Sequence, residues 1–221
     1  MYANSAPIVS AQTASHQRLA ALVSKHASTP FQKPIADYNR LAFDRSIAGW
    51  RQAGTPPLIL DAGCGVGLST LHLATQFPDH FVIGVDQSAD RLGRNIEWSG
   101  PEPANCAWVR ADLVDYWRLM HTESIRPARH YLLYPNPWPK IGQLQRRWHA
   151  HPVFPTLLAL GGYMEWRSNW RIYIDECCAA VAQLTGQVMV PQAHDGVQPI
   201  TPFERKYQAS GHALWRCSVQ L

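Results

Sequence analysis

Four short apolar runs recur at intervals of about 25 residues along the first 134 positions, and a polar side chain follows each of them. The runs lie at 58–60, 81–85, 107–109 and 130–134, and the stretch 68–76 after the first run has helical spacing. Strands at this period, each with a polar group at its carboxyl end, are typical of a doubly wound α/β sheet. Ligands of such sheets bind at the carboxyl ends of the strands.

The remaining pattern completes the predicted sheet and its helices. Apolar runs predict three more strands, at 163–166, 187–190 and 213–219, which makes seven strands. The fold class is therefore α/β, with a Rossmann-like, doubly wound, mostly parallel seven-stranded sheet. We expect residues 1–35 to form a partly flexible N-terminal arm and residues 36–221 to form one domain. Helical spacing predicts further helices at 18–25, 36–52, 152–160 and 170–184, and the polar composition of 192–201 predicts a loop.

The first apolar run ends in an acid and continues into a loop with glycine at every second position. Asp61 is followed by Gly63, Gly65 and Gly67, then by the predicted helix. Glycine at a strand-to-helix turn lets the backbone lie close to a ligand. A dinucleotide fingerprint would place its third glycine where Leu68 stands. The acid-x-G-x-G-x-G form instead resembles the first motif of S-adenosylmethionine (SAM) methyltransferases, and a plain structural turn is the alternative.

Two further acids close the second and third apolar runs, at Asp86 and Asp112. A carboxylate at the end of the second strand is suited to accept hydrogen bonds from ribose hydroxyls. In SAM enzymes an acid after the third strand typically meets the exocyclic amine of adenine. Each acid alone would also fit a helix N-cap, but three acids in phase with a glycine loop favour a cofactor site.

Composition narrows the class of protein. The chain has 221 residues, 46% hydrophobic and 16% charged, which suits one globular α/β domain. The formal net charge of +4 leans slightly toward an anionic partner. The five cysteines include no C-x-x-C pair, so we expect no disulfide framework and no metal site. The sequence has no signal-peptide pattern and no apolar run of transmembrane length, so we expect a soluble, cytoplasmic protein without a membrane partner.

A fixed order of motifs after the fourth run makes the pattern more specific. Residues 134–140 read Y-P-N-P-W-P-K, followed by an arginine pair at 146–147, R-S-N-W at 167–170, T-P-F-E at 201–204 and G-H-A-L-W at 211–215. This order resembles the tRNA (guanine-N7)-methyltransferase family. That family carries a P-D-P-W-P-K-like loop, a basic pair, a T-D-W-like segment, and a C-terminal T-x-F-E followed by G-H-x-x-W. The resemblance implies a class I SAM methyltransferase that transfers a methyl group from SAM to guanine N7 of tRNA.

The resemblance also implies roles for named residues. Those for SAM are Asp61, Gly63, Gly65, Gly67, Asp86, Asp112 and Asn136, with Asn136 also catalytic; those for the substrate are Lys140, Asn169, Thr201, Phe203 and Glu204. Independently of the resemblance, Lys140 and the arginine pair suit phosphate contacts, which bind nucleic acid without reading its sequence. Phe203 is suited to stack on an exposed base, and Glu204 is suited to accept hydrogen bonds from guanine N1 and N2.

Two departures from the family pattern lie on the substrate side. Asn136 stands where the P-D-P-W acid would be, and Asn169 stands where the T-D-W acid would be. Two alternatives to tRNA methylation therefore stay open. One is a SAM-dependent methyltransferase acting on another RNA or a small molecule, and the other is a SAM- or RNA-binding relative that has lost turnover. The oligomeric state is open as well, with a monomer favoured.

Overall fold

The computed structural model describes residues 4–195 and 197–221. Residues 1–3 of the predicted arm and residue 196 of the predicted polar loop lie outside the described residues. The chain forms two compact units. Unit 1 comprises the described part of Met1–Gln32 together with Tyr134–Ala159 and Glu165–Leu221, and unit 2 comprises Lys33–Leu133 and Leu160–Met164.

Seven strands form a single, mostly parallel sheet, as the sequence predicted. Their order is β3-β2-β1-β4-β5-β7-β6. The pairs β1–β2, β1–β4 and β2–β3 are parallel, and β6–β7 is antiparallel. The strands are β1 Leu58–Ala62, β2 Phe81–Asp86, β3 Cys106–Arg110, β4 Arg129–Leu133, β5 Tyr163–Ser168, β6 Gln192–Ala193 and β7 Trp215–Gln220.

Eight α-helices and two 3₁₀ helices accompany the strands in the described residues. In unit 2, α3 packs against β2 and β3, while α2 packs against β3 and α5. In unit 1, α1 packs against α6 and α7. The helices are α1 Leu19–Ser28, α2 Asp37–Gln52, α3 Leu68–Gln76, α4 Ala89–Leu92, α5 Leu113–Thr122, α6 Phe154–Ala159, α7 Arg171–Thr185 and α8 Pro202–Ala209, with 3₁₀ turns at Ile141–Arg146 and Trp148–Ala150.

The apolar runs become strands because the sheet buries them on both faces. Every residue of β1 and β2 is buried, which is the pattern of parallel strands covered by helices. Register pairs Leu60 with Ile83 and with His130, and pairs Ile83 with Ala107. Because parallel strands run in the same direction, Asp61 and Asp86 at the ends of β1 and β2 and Asp112 after β3 lie at the same edge of the sheet.

The strand predicted at 187–190 is wrong. That segment forms no strand in the described structure, and the edge strand is Gln192–Ala193 instead. Gly186 ends α7 in the left-handed conformation, and Val188 and Val190 beyond it are 83% and 68% exposed. The apolar composition of the segment predicted a strand. Of its valines and methionine only Met189 is buried, so the segment does not pack as a strand of the core.

Helix α8 begins within the T-P-F-E motif at 201–204, for which the sequence pattern predicted no secondary structure. Thr201 is its N-cap, since the Thr201 hydroxyl accepts a hydrogen bond from the Glu204 amide at 2.9 Å. Pro202 occupies the first helical position. Thr, Pro and Glu at this spacing are a helix-start signal in their own right.

Candidate active site

The glycine loop of unit 2 is fixed from beneath by its own strand and helix. The Asp61 carboxylate is 1% exposed, and its Oδ2 accepts hydrogen bonds from Ser69 Oγ at 2.6 Å and Thr70 Oγ1 at 2.8 Å. The acid after β1 therefore ties the first turn of α3 to the end of the strand. It orders the loop, and its implied contact with SAM stays a prediction.

Gly67 needs to be glycine for two reasons. Its φ is +87°, in the left-handed region, and a Cβ there would lie 2.1 Å from Nε1 of Trp108. Gly63 and Gly65 are left-handed as well, with φ of +78° and +62°. A Cβ on Gly65 would meet no described atom within 4 Å, so the loop presents open backbone on that side.

Trp108 is a residue of this site that sequence reasoning missed. Its indole Nε1 is buried against Gly67 and has no hydrogen-bond partner among the described residues. A buried donor without an acceptor is costly and uncommon in proteins. Nothing in the sequence marked this indole, because its contact with Gly67 arises only when β3 and the glycine loop come together.

Asp86 connects the end of β2 with the glycine loop. Its Oδ2 accepts a hydrogen bond from the Gly65 amide at 3.0 Å, and its Oδ1 accepts one from the Ser88 amide at 2.8 Å. The Arg91 guanidinium lies 3.5 Å away. The carboxylate is 4% exposed. Asp86 and Gly65, both predicted to bind SAM, are thus in direct contact.

Asp112 has the geometry of a helix cap. Its Oδ1 accepts a hydrogen bond from the Val114 amide at 2.8 Å, which makes it the N-cap of α5, and Lys33 Nζ lies 3.6 Å from its Oδ2. The carboxylate remains 29% exposed. Its predicted contact with adenine stays a prediction beside the observed cap.

The substrate loop, which we define as Tyr134–Lys140, lies in unit 1 and has a strained backbone. Tyr134 and Trp138 adopt positive φ values of 53° and 45°, which are unfavourable for bulky residues and are held only by surrounding structure. Asn136 is exposed, and its Oδ1 accepts a hydrogen bond from the Trp138 amide at 3.2 Å. This bond takes one of the two acceptor positions of the Asn136 oxygen, so the oxygen can accept a second hydrogen bond.

The basic residues near the substrate loop differ sharply in exposure. Lys140 and Arg146 are exposed, and the Arg146 guanidinium lies 4.7 Å from the ring centroid of Trp138. Arg147 is 0% exposed, and its Nη1 donates to Glu176 Oε2 at 2.6 Å. The prediction that both arginines contact phosphate is therefore wrong for Arg147, because a completely buried guanidinium in an ion pair does not reach an external ligand.

Glu204 lies at the centre of a buried hydrogen-bond network in unit 1. Its Oε1 accepts hydrogen bonds from Tyr134 Oη at 2.9 Å and Arg167 Nη1 at 3.0 Å, and lies 2.7 Å from His194 Nε2. Its Oε2 accepts from the Ile200 amide at 2.8 Å. Burial would raise the pKa of the Glu204 carboxyl, but the His194 hydrogen bond and the Arg167 charge outweigh it and lower the pKa to about 2.

This network bears on the predicted substrate contacts of Glu204 and Thr201. Glu204 is 0% exposed and Thr201 is 6% exposed, so both side chains are committed to protein partners in this structure. Their contact with a substrate stays a prediction. Tyr134, Arg167 and His194 were not singled out from the sequence as partners of Glu204, because their contacts depend on tertiary folding.

An aromatic stack links the remaining predicted substrate residues. Phe203 is 47% exposed and stacks on Tyr207, with an interplanar angle of 28°. Tyr207 stacks in turn on His212 at 15°. Asn169 Nδ2 lies 3.1 Å from Nδ1 of the same His212. Phe203 and Asn169, which lie far apart in sequence, are thereby joined in unit 1.

The described residues contain no group of three or more His, Cys, Asp or Glu side chains able to hold a metal ion. The five cysteines are free thiols, with Cys64 buried and Cys106 half-buried. Within the described part of the chain, no helix combines the length and apolarity that a membrane span requires.

A seven-stranded, mostly parallel sheet with a glycine loop after β1 and acids after β2 and β3 defines the class I methyltransferase fold. A solved structure described as "Structure of an Antibiotic Related Methyltransferase" has the same fold, with a TM-score of 0.56 and 14% identity. The match covers 86% of this chain and 97% of that one. The family model described as "Putative methyltransferase" matches residues 55–217. The chain therefore belongs to this methyltransferase family.

Curated relatives of the chain share one description. The tRNA (guanine-N(7)-)-methyltransferase of Treponema pallidum (strain Nichols) is 28% identical over 162 residues, covering 72% of this chain and 64% of the relative. The protein of that description from Nocardioides sp. (strain ATCC BAA-499 / JS614) is 35% identical over 170 residues, covering 72% of this chain and 65% of the relative. The chain thus spans just under two thirds of the length of these relatives.

Proposed function

We propose that this protein transfers a methyl group from SAM to N7 of a guanine in tRNA. The observation that carries the proposal is the similarity to curated tRNA (guanine-N(7)-)-methyltransferases, at 28% and 35% identity over 72% of the chain. The similarity supports the reaction, and the contacts in each unit support the roles of individual residues.

The residues of unit 2 fit SAM. Open backbone at Gly65, the Asp86 carboxylate beside it and the unpartnered indole N–H of Trp108 offer both acceptor and donor groups at one loop of the described structure. Asp86 accepts two backbone hydrogen bonds and a longer one from Arg91, while a carboxylate has about four acceptor positions, so capacity for a ribose hydroxyl remains. When bound, SAM supplies an electrophilic methyl group on a sulfonium centre.

The reaction requires little acid–base catalysis from the protein. Guanine N7 has a lone pair and no proton to remove, so orienting the base for in-line attack provides most of the catalysis. The purine gains positive charge during transfer, which a nearby oxygen would stabilise. We assign Asn136 this catalytic place: its amide is neutral, so its contribution is hydrogen bonding rather than charge.

The exposed residues of unit 1 support a nucleic-acid substrate. Lys140 and Arg146 are exposed cations suited to phosphate, and Phe203 is the exposed end of an aromatic stack, suited to a base. Asn169 fits an indirect role, since its amide contacts His212 beneath that stack. We place Thr201 and Glu204 as the residues that hold α8, and with it Phe203, in position.

A second candidate keeps SAM but changes the substrate to another RNA or a small molecule. The observation that favours it is the pair of asparagines, Asn136 and Asn169, at the two positions where the related family has acids. Both positions lie on the substrate side, and neither lies in the glycine loop.

The proposal is tested by incubating the protein with SAM and bulk tRNA that lacks 7-methylguanosine, and then digesting the tRNA for nucleoside analysis. We expect 7-methylguanosine from wild type and a faster reaction from Asn136→Asp, because a carboxylate stabilises the cationic purine. A gain of about 1.4 kcal/mol in the transition state would raise the rate tenfold. Methylation of another RNA or of a lysate metabolite in place of tRNA would establish the second candidate. SAM binding without any methyl transfer would indicate a relative without turnover.

A further inference from the structure

We propose that Gln12 is a positioning residue for the substrate loop and acts on it through Arg147. The inference rests on the proposed function, because it concerns how the loop that carries Asn136 and Lys140 is held for catalysis. It assigns a role to the N-terminal arm, for which neither the family motifs nor the fold provides one.

The first link joins Arg147 to the substrate loop. Arg147 Nε and Nη2 both donate to the carbonyl oxygen of Trp138, at 3.2 and 3.0 Å. Trp138 has a φ of 45°, a conformation that bulky residues keep only where neighbouring groups impose it. The two hydrogen bonds from one guanidinium are such a restraint, and they act on the residue between Asn136 and Lys140.

The second link is the environment of the Arg147 charge. The side chain is 0% exposed, its Nη1 donates to Glu176 Oε2 at 2.6 Å, and its guanidinium lies 4.8 Å from the ring centroid of Trp170. A buried cation is tolerated only when its charge is paired and its N–H groups have acceptors. The geometry of the pair therefore depends on every acceptor around it.

The third link is Gln12, which contacts both members of the ion pair. Its Oε1 accepts a hydrogen bond from Arg147 Nη2 at 3.0 Å, and its Nε2 donates to Glu176 Oε1 at 2.6 Å. Gln12 is itself only 9% exposed. A carboxamide is a neutral group that offers an acceptor to the guanidinium and a donor to the carboxylate at once.

Two other arm residues fix the same segment. Ser10 Oγ donates to the carbonyl oxygen of Pro139 at 2.6 Å, so the arm also contacts the substrate loop directly. The His16 amide donates to Glu176 Oε1 at 2.9 Å. Residues 10–16 thus reach the loop by a direct bond and by the relay Gln12–Arg147–Trp138, and release of the arm would leave a buried guanidinium and carboxylate short of partners.

The test compares Gln12→Met with Gln17→Met, the same change at an exposed glutamine of the arm. Hydrogen–deuterium exchange of the full chain is followed at the amides of Asn136, Trp138 and Lys140, with the amides of α7 as an internal reference. We expect at least tenfold faster exchange of the loop amides in Gln12→Met, with α7 and the Gln17→Met protein unchanged. The methylation rate at saturating tRNA, normalised to folded protein, should fall about tenfold in parallel.

Unchanged loop exchange in Gln12→Met, or an equal rise across α7, would overturn the inference, since the second outcome indicates general destabilisation. If Gln12→Met does not fold, Gln12→Asn decides by the same readout, because the shorter side chain withdraws its carboxamide from Arg147 and Glu176 while keeping a polar group at this position. The exchange result is independent of catalysis: loop loosening in a protein that makes no 7-methylguanosine would refute the proposed function and leave the positioning role intact.

Discussion

The side-chain amide of Asn169 donates a hydrogen bond to Nδ1 of His212 at 3.1 Å. The direction follows from the other ring nitrogen: His212 Nε2 lies 3.0 Å from the carbonyl oxygen of Ser5, which can only accept, so Nε2 carries the proton in the neutral ring. Asn169 matches this tautomer, since its NH₂ group faces the unprotonated nitrogen. Asn169, which departs from the family pattern, therefore has a defined partner. That partner, His212, is the last ring of the aromatic stack.

We predict that Asn169 and His212 are energetically coupled. In a double-mutant cycle of Asn169→Ala and His212→Ala, the coupling should be about 0.5–1.5 kcal/mol, the net contribution of one hydrogen bond. Urea unfolding of the four proteins measures it. The control cycle pairs His212→Ala with Asn136→Ala, whose amide bonds to Trp138 instead, and should be additive. Equal coupling in both cycles would contradict the assigned bond.

Neighbouring arginines should differ widely in their effect on stability. Arg147→Ala leaves Glu176 as a buried carboxylate without its guanidinium partner, which costs about 3–5 kcal/mol of unfolding free energy. Arg146→Ala removes an exposed cation–π contact with Trp138 and should cost less than about 1 kcal/mol. Chemical denaturation of both variants measures the difference. Similar losses from the two substitutions would mean that Arg147 is not paired as described.

The sequence predicted most of the sheet because β1 and β2 are buried along their whole length, and β4 and β5 are buried beyond their first residue. The edge was less predictable. Val188 and Val190 carry the composition of a strand, yet only contacts made after folding decide that pairing begins at Gln192. Spacing alone predicted Asp86 and Asp112 as companions of the glycine loop, because the interval of about 25 residues is the length of one strand–helix repeat.

The partners of those residues were less accessible from sequence. Nothing in the dipeptide Arg146-Arg147 distinguishes an exposed residue from a buried one, since the difference arises from Glu176 on α7. Glu204 illustrates the same limit, because its donors come from β5, the residue after β4 and the loop before α8. Local patterns identify residue types, whereas long-range packing decides which of them face a ligand.

Acid should destabilise the protein in a window set by Glu204. Its folded pKa, about 2, lies below the ordinary value of 4.5. A carboxylate with a depressed folded pKa contributes stability that is present above its unfolded pKa and is lost as pH falls through the folded value. As the pH falls from about 4.5 to 2, protonation of Glu204 should therefore lower the unfolding free energy by about 3 kcal/mol. Burial would raise the pKa of Glu176, but its hydrogen bonds with His149 and Arg147 and their charges lower that pKa from 4.5 to about 2, so this carboxyl adds to the same window.

The measurement is urea unfolding at several pH values for wild type and Glu204→Gln. Because glutamine does not titrate, the variant should start less stable at neutral pH and show a shallower decline toward pH 2. A variant whose stability falls with acid as steeply as that of wild type would show that Glu204 is not the titrating group.

Asp86 should contribute directly to SAM affinity. Asp86→Ala removes an acceptor for ribose and also releases the Gly65 amide, and we expect binding weaker by about 1–3 kcal/mol. Asp90→Ala is the control, since that carboxylate pairs with Arg94 and its side chain is 75% exposed. Calorimetry with SAM distinguishes the two. An Asp86→Ala protein with wild-type affinity would reduce Asp86 to a structural residue of the loop.

The most direct test of the proposed reaction uses two tRNA transcripts that differ only at the reacting atom. One contains guanosine and the other contains 7-deazaguanosine, in which carbon replaces N7. With labelled SAM, we predict stoichiometric methyl transfer to the guanosine transcript and none to the 7-deaza transcript, although both transcripts should bind. Equal labelling of the two transcripts would place the methyl group on another atom, and absence of label from both would contradict the assignment of tRNA as the substrate.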